Sequence, residues 1–409
     1  MNPFRFPALL FFVIIVTGCE KAPSPPVISG MNPLTGGYGT EVVITGKNFG
    51  AQASGNIVTI NGIEAEVVST SKTSLTVVVP ALAEGEWPVN LETEAGETSA
   101  GLFNYMYTIF IAGCENNSSN INVAKYWKDG SGIILTDGTR HTILSSIALA
   151  DADVWTTGNE FGTLHSGKFW KNTLSASLTA ASESGANDII TDGSDVYIAG
   201  YESNGTYDVA MYWKNGTPVS LTDGTSDACA YSIFKNGDDI YVAGLVVKGT
   251  KPVATYWKNG NPVFLTDGTY SARAQDMTVS GNDIYVCGYE RNPGGFNVAR
   301  YWKNGTPVNL SDGQSRAWAS SIAVTGTDIY AVGNDGTGAR CWKNGVAVQV
   351  ECNPAFATMT SVFIAGDDIF IAGSERIGDT DHAYYWKNGK KISLTDNTRL
   401  SVANAIFVR

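Results

Sequence analysis

Histidine is nearly missing from this sequence: His141, His165 and His382 are the only three in 409 residues, and they lie far apart with no ligand spacing. That pattern offers no histidine-based metal centre. No C-x-x-C, nucleophile elbow, P-loop or EF-hand loop is present either. The sequence thus names no catalytic residue, no cofactor and no metal. Basic clusters are also missing. The chain carries 27 Lys and Arg against 39 Asp and Glu, for a formal net charge of −12. This argues against nucleic acid and against an anionic membrane surface as ligands. Beyond the first 18 residues the cysteines are Cys19, Cys114, Cys229, Cys287, Cys341 and Cys352. The last five are odd in number and irregularly spaced, so they read as small buried residues without a disulfide framework.

Long apolar runs are scarce, and the clearest stands at the N-terminus. Residues 1–18 carry one cation, Arg5, and an apolar stretch from Leu9 to Val16, too short for a permanent membrane span. The stretch leads into Val16-Thr17-Gly18-Cys19, which resembles the bacterial lipobox. The resemblance implies a cleaved signal peptide, lipidation at Cys19 and attachment to the membrane through that lipid. It implies a cell-envelope protein, expected at the outer membrane and exposed at the surface. Residues 19–24 are polar and Pro-rich and read as a tether.

What the chain does have is glycine (45 residues), 11% aromatics and 43% hydrophobics, enough for sizeable cores joined by many tight turns. In residues 25–107 short alternating segments predict strands at Glu41–Thr45, Ile57–Ile60, Ala65–Ser69, Ser74–Val79, Trp87–Glu92 and Ala100–Tyr107. Pro26-x-Ile28, Gly39-Thr40, Val42-x-Ile44-x-Gly46-x-x-Phe49, Val58-x-Ile60-x-Gly62, Leu75-x-Val77-x-Val79-Pro80 and Phe103-x-Tyr105 resemble the IPT/TIG family. That resemblance implies an immunoglobulin-like β-sandwich. Gly36-Gly37-Tyr38-Gly39 reads as a turn, since no helical pattern follows it.

From residue 108 to 409 the chain repeats. Trp127, Trp170, Trp213, Trp257, Trp302, Trp342 and Trp386 are spaced by 43, 43, 44, 45, 40 and 44 residues, and each precedes a Lys. Before each Trp stands a Val/Ile-aromatic-x-x-Gly segment, and eight residues after it an apolar residue. Trp-Lys-Asn-Gly recurs five times, and Asn-Gly favours the type I′ hairpin. Four strands per repeat is the content of one propeller blade. The first repeat lacks one strand, which the C-terminal Ser401–Arg409 matches. The reading is an all-β chain: a sandwich followed by a seven-bladed β-propeller closed by its C-terminal strand. The repeat resembles the kelch type in strand order and departs from it in lacking the double glycine. The tryptophans read as packing between blades.

Length changes among the repeats fall between the aromatic-x-x-Gly strand and the Trp strand. The connection from one blade to the next varies in chemistry on the same face. Candidate ligand-binding residues there are Arg140, His141, Tyr270, Arg273, Arg316, Trp318, Phe356 and Arg399. Trp318 stands out because no other repeat has Trp there. Arg and aromatics mixed with acids suit a sugar, a peptide or a protein surface. The expected function is a non-catalytic binding module, with glycan as one ligand class. Two alternatives are an envelope scaffold for protein partners and a propeller-type polysaccharide lyase or glycosidase, which two converging rim acids would favour.

Overall fold

The computed structural model describes residues 23–179 and 182–409; the leader and Cys19 lie outside the described residues. Apart from a 3-10 turn at Ala53–Gly55, every regular element is a strand. No helix among these residues is long and apolar enough to cross a membrane. Two compact units divide between Tyr105 and Met106.

The first unit contains β1 (Val27–Asn32), β2 (Thr35–Gly36), β3 (Glu41–Lys47), β4 (Ile57–Ile60), β5 (Ile63–Thr70), β6 (Ser74–Val78), β7 (Gly85–Thr93) and β8 (Gly96–Tyr105). Their order is β1-β3-β6-β5-β4-β7-β8-β2. Strand β5 belongs to both layers: Ile63–Ala65 pair with β4, and Glu66–Thr70 pair with β6 across a register shift. The sandwich is therefore one curled sheet. Alternation sets its core. Val42, Ile44, Val58, Ile60, Leu75, Val77, Val89, Leu91 and Phe103 point inward and are all but fully buried. Strand β1 was not evident in the sequence, because it buries only Met31 and shows little apolar alternation.

The second unit is a seven-bladed propeller of four-stranded sheets. The innermost strands of blades 2 to 7 are His141–Ala150, Ser184–Asp192, Ala228–Asn236, Ala272–Ser280, Trp318–Thr325 and Ala357–Ala365. In blade 1 the C-terminal strand Ser401–Val408 takes this place beside Ile109–Asn116, with Asn122–Lys128 and Ser131–Ile134 outside. Val408 pairs with Ile109 and Ser401 with Glu115, and Thr108 and Arg409 exchange backbone hydrogen bonds of 2.8 and 3.0 Å. The ring is closed, because the C-terminal strand covers the inner edge of Ile109–Asn116.

Each inner strand carries one β-bulge at the same place, as between Ala230 and Ser232 or Ala274 and Asp276. The glycine of each aromatic-x-x-Gly segment pairs with the residue just before the bulge. A β-carbon at any of these seven glycines would overlap a carbonyl oxygen of the inner strand, such as that of Cys229 at Gly244. The repeated glycine is thus a requirement of close backbone approach, not of a turn. All seven repeat tryptophans are at most 2% exposed. Trp257 of blade 4 packs with Tyr197, Ala199 and Leu221 of blade 3, filling the gap between sheets.

The Asn-Gly hairpins have positive φ at both residues, as at Asn215 (51°) and Gly216 (78°), which is the type I′ geometry. Each Asn also ties two strands together. Asn215 Oδ1 accepts from the Val196 N–H at 2.8 Å, and its amide donates to Asp195 at 2.7 Å. The preceding Lys214 pairs with Asp195 at 2.8 Å and lies 5.3 Å from the Tyr197 ring centroid. The same Asp–aromatic–Lys–Asn set recurs in blades 2 to 7. Blade 1 has Asp129 in the Asn position, accepting from the Ile109 N–H.

Candidate functional site

Strand direction gives the propeller two unlike ends. One end, the turn face, holds the Asn-Gly hairpins and the short turns between first and second strands. The other, the loop face, holds the variable loops and the connections between blades.

All eight residues singled out from the sequence lie on the loop face, where the inner strands begin. Counted back from the residue that pairs with the repeat glycine, they occupy three register positions. Arg273 and Trp318 stand one residue before it, in blades 5 and 6. His141, Arg316 and Phe356 stand three before it, in blades 2, 6 and 7. Arg140, Tyr270 and Arg399 stand four before it, in blades 2, 5 and 1. Together they ring the loop-face end of the axis. Cations occupy blades 5, 6, 1 and 2, whereas blades 3 and 4 present Glu183, Asp208 and Asp227.

Trp318 is 37% exposed and Phe356 54% exposed, so neither is buried between blades. Arg316, Arg399 and Arg140 are exposed, and Arg140 pairs with Glu160 at 3.1 Å. Arg273 is half-buried and stacks 4.7 Å over the Tyr231 ring. His141 Nδ1 accepts from the Asn122 N–H at 3.1 Å and so belongs partly to the local fold.

The structure adds Phe161, His165, Tyr201 and Asp208 to the loop face, which the sequence reading passed over. Phe161 stacks on His165 with ring centroids 4.7 Å apart, and His165 Nδ1 lies 2.9 Å from the Tyr201 hydroxyl. Burial pushes the Tyr201 phenol up to about 12. It also raises the Asp208 carboxyl, to which the charges of Asp227 and Glu183 add. Phe161 (45%), Tyr207 (39%) and Phe296 (40%) join Trp318 and Phe356 as exposed aromatics. The loop-length variation pointed to the segments that carry them. It could not show which rings stay uncovered. Thr136-Asp137-Gly138 and Thr222-Asp223-Gly224 are turns: Asp137 and Asp223 each accept from the backbone N–H two residues on.

A cavity follows the propeller axis. Its loop-face half, about 170 Å³, is lined by the bulge residues Ser145, Asn187, Tyr231, Gln275, Ser320, Thr360 and Asn404. The turn-face half is about 560 Å³. Both halves share a polar ring. Ser146 Oγ donates to Asp188 Oδ1 at 2.7 Å, and Asp188 Oδ2 accepts from the Ile233 N–H at 2.9 Å. Ser232 Oγ donates to Asp276 Oδ1 at 2.8 Å. Asp276 Oδ2 accepts from Ser321 Oγ at 2.8 Å and from the Ile322 N–H at 2.9 Å. Each link crosses from one blade to another. Burial, followed by the charge of Asp276, pushes the Asp188 carboxyl up to about 6; burial raises Asp276 as well. Sequence reading missed this ring because aspartates in two of seven repeats look like scattered surface acids. The five cysteines beyond Cys19 are all free, and burial pushes the Cys229 thiol up to about 12. Among the described residues no group of three or more His, Cys, Asp or Glu is placed to hold a metal.

The fold defines an IPT/TIG domain followed by a seven-bladed β-propeller. Residues 26–107 match the IPT/TIG domain family. A cyclomaltodextrin glucanotransferase from Geobacillus stearothermophilus is 32% identical over 82 residues, which is 20% of this chain and 11% of that enzyme. The chain therefore spans about a tenth of the curated relative it matches. Among solved structures, a protein of unknown function from Bacteroides thetaiotaomicron is similar over 95% of this chain and 99% of its own, at 11% identity and a TM-score of 0.52. That likeness concerns the fold. An auxiliary nutrient binding protein from the same species, at 15% identity over 86% and 96% of the two chains, has a TM-score of 0.36.

Proposed function

We infer that the chain is a non-catalytic binding protein of the cell envelope, lipidated at Cys19, whose propeller recognises glycans with its loop face. One observation carries this reading. Near the turn face the second-strand aromatics of all seven blades, such as Phe110, Tyr197 and Tyr285, sit under the repeat lysines. On the loop face Phe161, Tyr207, Phe296, Trp318 and Phe356 are left uncovered. A ring exposed to water costs free energy, and one ringed by arginines offers a stacking surface beside hydrogen-bond donors. That combination suits the flat apolar face and the hydroxyl edge of a sugar.

The test is a glycan-array screen followed by calorimetry on the best ligand. Trp318→Ala and Arg273→Ala each weaken binding by about 2 kcal/mol or more, as truncated interface anchors do. Lys214→Ala and Lys258→Ala, on the turn face, leave it unchanged. The opposite pattern places the ligand elsewhere. Binding of envelope proteins but no glycan supports the scaffold reading instead.

A hydrolytic reading has one specific support, the approach of Asp208, Asp227 and Glu183 on blades 3 and 4, with Asp208 raised. Polysaccharide cleavage that disappears in Asp208→Asn while binding persists would establish it.

A further inference from the structure

We propose that the turn-face half of the axial cavity is a second ligand site, separate from the loop face, for a small organic cation with an apolar body. The cavity, about 560 Å³, is of small-molecule size. Its walls include Ile190, Phe234, Phe363 and Phe407, and Asp192, Lys235 and Gly237 at its edge place its mouth on the turn face. The Phe363 and Phe407 rings lie 5.1 Å apart, centroid to centroid. Its floor is the ring that holds Asp188 and Asp276. Apolar and aromatic walls over an acidic floor complement an ammonium group with a hydrocarbon body.

The hydrogen bonding distinguishes the two acids. Asp276 receives four protein donors: Ser232, Ser321 and the N–H groups of Met277 and Ile322. Asp188 receives three: Ser146 and the N–H groups of Ile189 and Ile233. A carboxylate accepts about four, so Asp188 retains capacity for a donor in the lumen. Lys235 brings no free positive charge to compete, since it pairs with Asp192 at 2.6 Å and with the Gly237 carbonyl. Asp276 is the other ionisable group acting on Asp188, and Cys287 lies beside Asp276. A bound cation favours ionised Asp188, so binding releases a proton and strengthens as pH rises through about 6.

The experiment is calorimetry on the intact protein with cyclohexylammonium, cyclohexanol, cyclohexanecarboxylate and calcium chloride as probes. The expected result is cyclohexylammonium binding about tenfold tighter than cyclohexanol at about pH 7.5, losing most of that advantage at about pH 5. Asp188→Asn abolishes the preference and its pH dependence while cyclohexanol binding persists. Ile190→Phe, which narrows the lumen, weakens both. Trp318→Ala on the loop face changes neither, which separates this site from glycan recognition. Equal binding of amine and alcohol by the parent protein overturns the proposal. So does displacement of the amine by calcium, or unchanged amine affinity in Asp188→Asn. Should Asp188→Asn not fold, unchanged amine affinity in Ile190→Phe and Phe363→Ala overturns it equally.

Discussion

An alanine at Gly244 would have to push its β-carbon into the carbonyl oxygen of Cys229, with Ala230 Cα only 3.1 Å away. Neither backbone atom can yield without disturbing the bulge. Gly244→Ala is expected to cost about 3 kcal/mol or more, at the upper end of overpacking effects. Gly260→Ala meets open space and only the strain of φ +80°, so it costs about 1 kcal/mol. Urea denaturation of the two variants checks the contrast; equal losses would remove the bulge explanation. Both glycines were visible in the sequence, but only one for the right physical reason. Asn-Gly announces its turn locally, whereas the aromatic-x-x-Gly glycine answers to a residue on a neighbouring strand, Ala230 for Gly244 and the distant Ala403 for Gly113. Asp188 is the other residue that pairing alone explains, and its sign differs from that of the turn-face aspartates. Burial and the charge of Asp276 push its folded carboxyl up to about 6, above the ordinary aspartate value of 3.8, so the fold favours the protonated form. The resulting stabilisation is full below about pH 4 and is lost as pH rises through about 6. At about 1.4 kcal/mol per pK unit, parent stability relative to Asp188→Asn falls by about 2–3 kcal/mol between pH 4 and pH 7. Asp239, lowered by Lys258 and Asn259, works in the opposite sense and is exposed. Urea midpoints for both proteins across that range measure the difference, and a difference that grows with pH would refute the assignment.

At the scale of strands and blades the sequence was a good guide, because packing constraints repeat with the blade. The tryptophans and their eight-residue partners face the same environment seven times, and the Trp-Lys-Asn-Gly hairpins five times. The C-terminal strand could be placed by elimination, since only the first blade lacked an inner member. Deleting Ala403–Arg409 removes most of that strand, and with it the Asn404 amide that donates to the Leu144 carbonyl of blade 2 at 2.8 Å. The Thr360 hydroxyl of blade 7 also loses the Ala403 carbonyl, 2.8 Å away. The deletion opens Ile109–Asn116 as a free edge and leaves Trp127, Leu394 and Phe370 without Ile406 and Val408. The expected outcome is a fall of at least about 10 °C in the propeller's unfolding midpoint, or recovery only as aggregate. An unchanged midpoint in calorimetry would mean that the closing strand is dispensable. Strand β1 was missed for the converse reason: it occurs once, at an edge, with little to bury.

At the scale of the whole molecule, the sequence located the loop face but not the axis. Length variation is a local property of each repeat and it pointed to the face; chemical variation in the connections between blades led to Trp318, Arg316 and Phe356, now seen on two register positions. The axial cavity is a property of closure, because the inner strands of all seven blades build it and no single repeat contains it. Attachment to the membrane is the remaining whole-molecule question, and it rests on residues outside those described. A chain of net charge −12 gains nothing from an anionic lipid surface. The apolar stretch from Leu9 to Val16 is about a third of a bilayer-spanning length. In the proposed reading a diacyl or triacyl modification at Cys19 would supply the missing affinity, since each buried methylene adds about 0.8 kcal/mol and two chains suffice for stable anchoring. Cys19→Ala is therefore expected to end incorporation of labelled palmitate and to shift the protein from the membrane pellet to the soluble fraction or to an uncleaved precursor. The parent protein on intact cells is expected to be cut by added protease, as a surface-exposed module would be. Palmitate labelling that survives in Cys19→Ala would remove the lipobox reading. Protection of the parent from protease would keep the anchor but turn the loop face toward the periplasm, where its ligand would have to be sought.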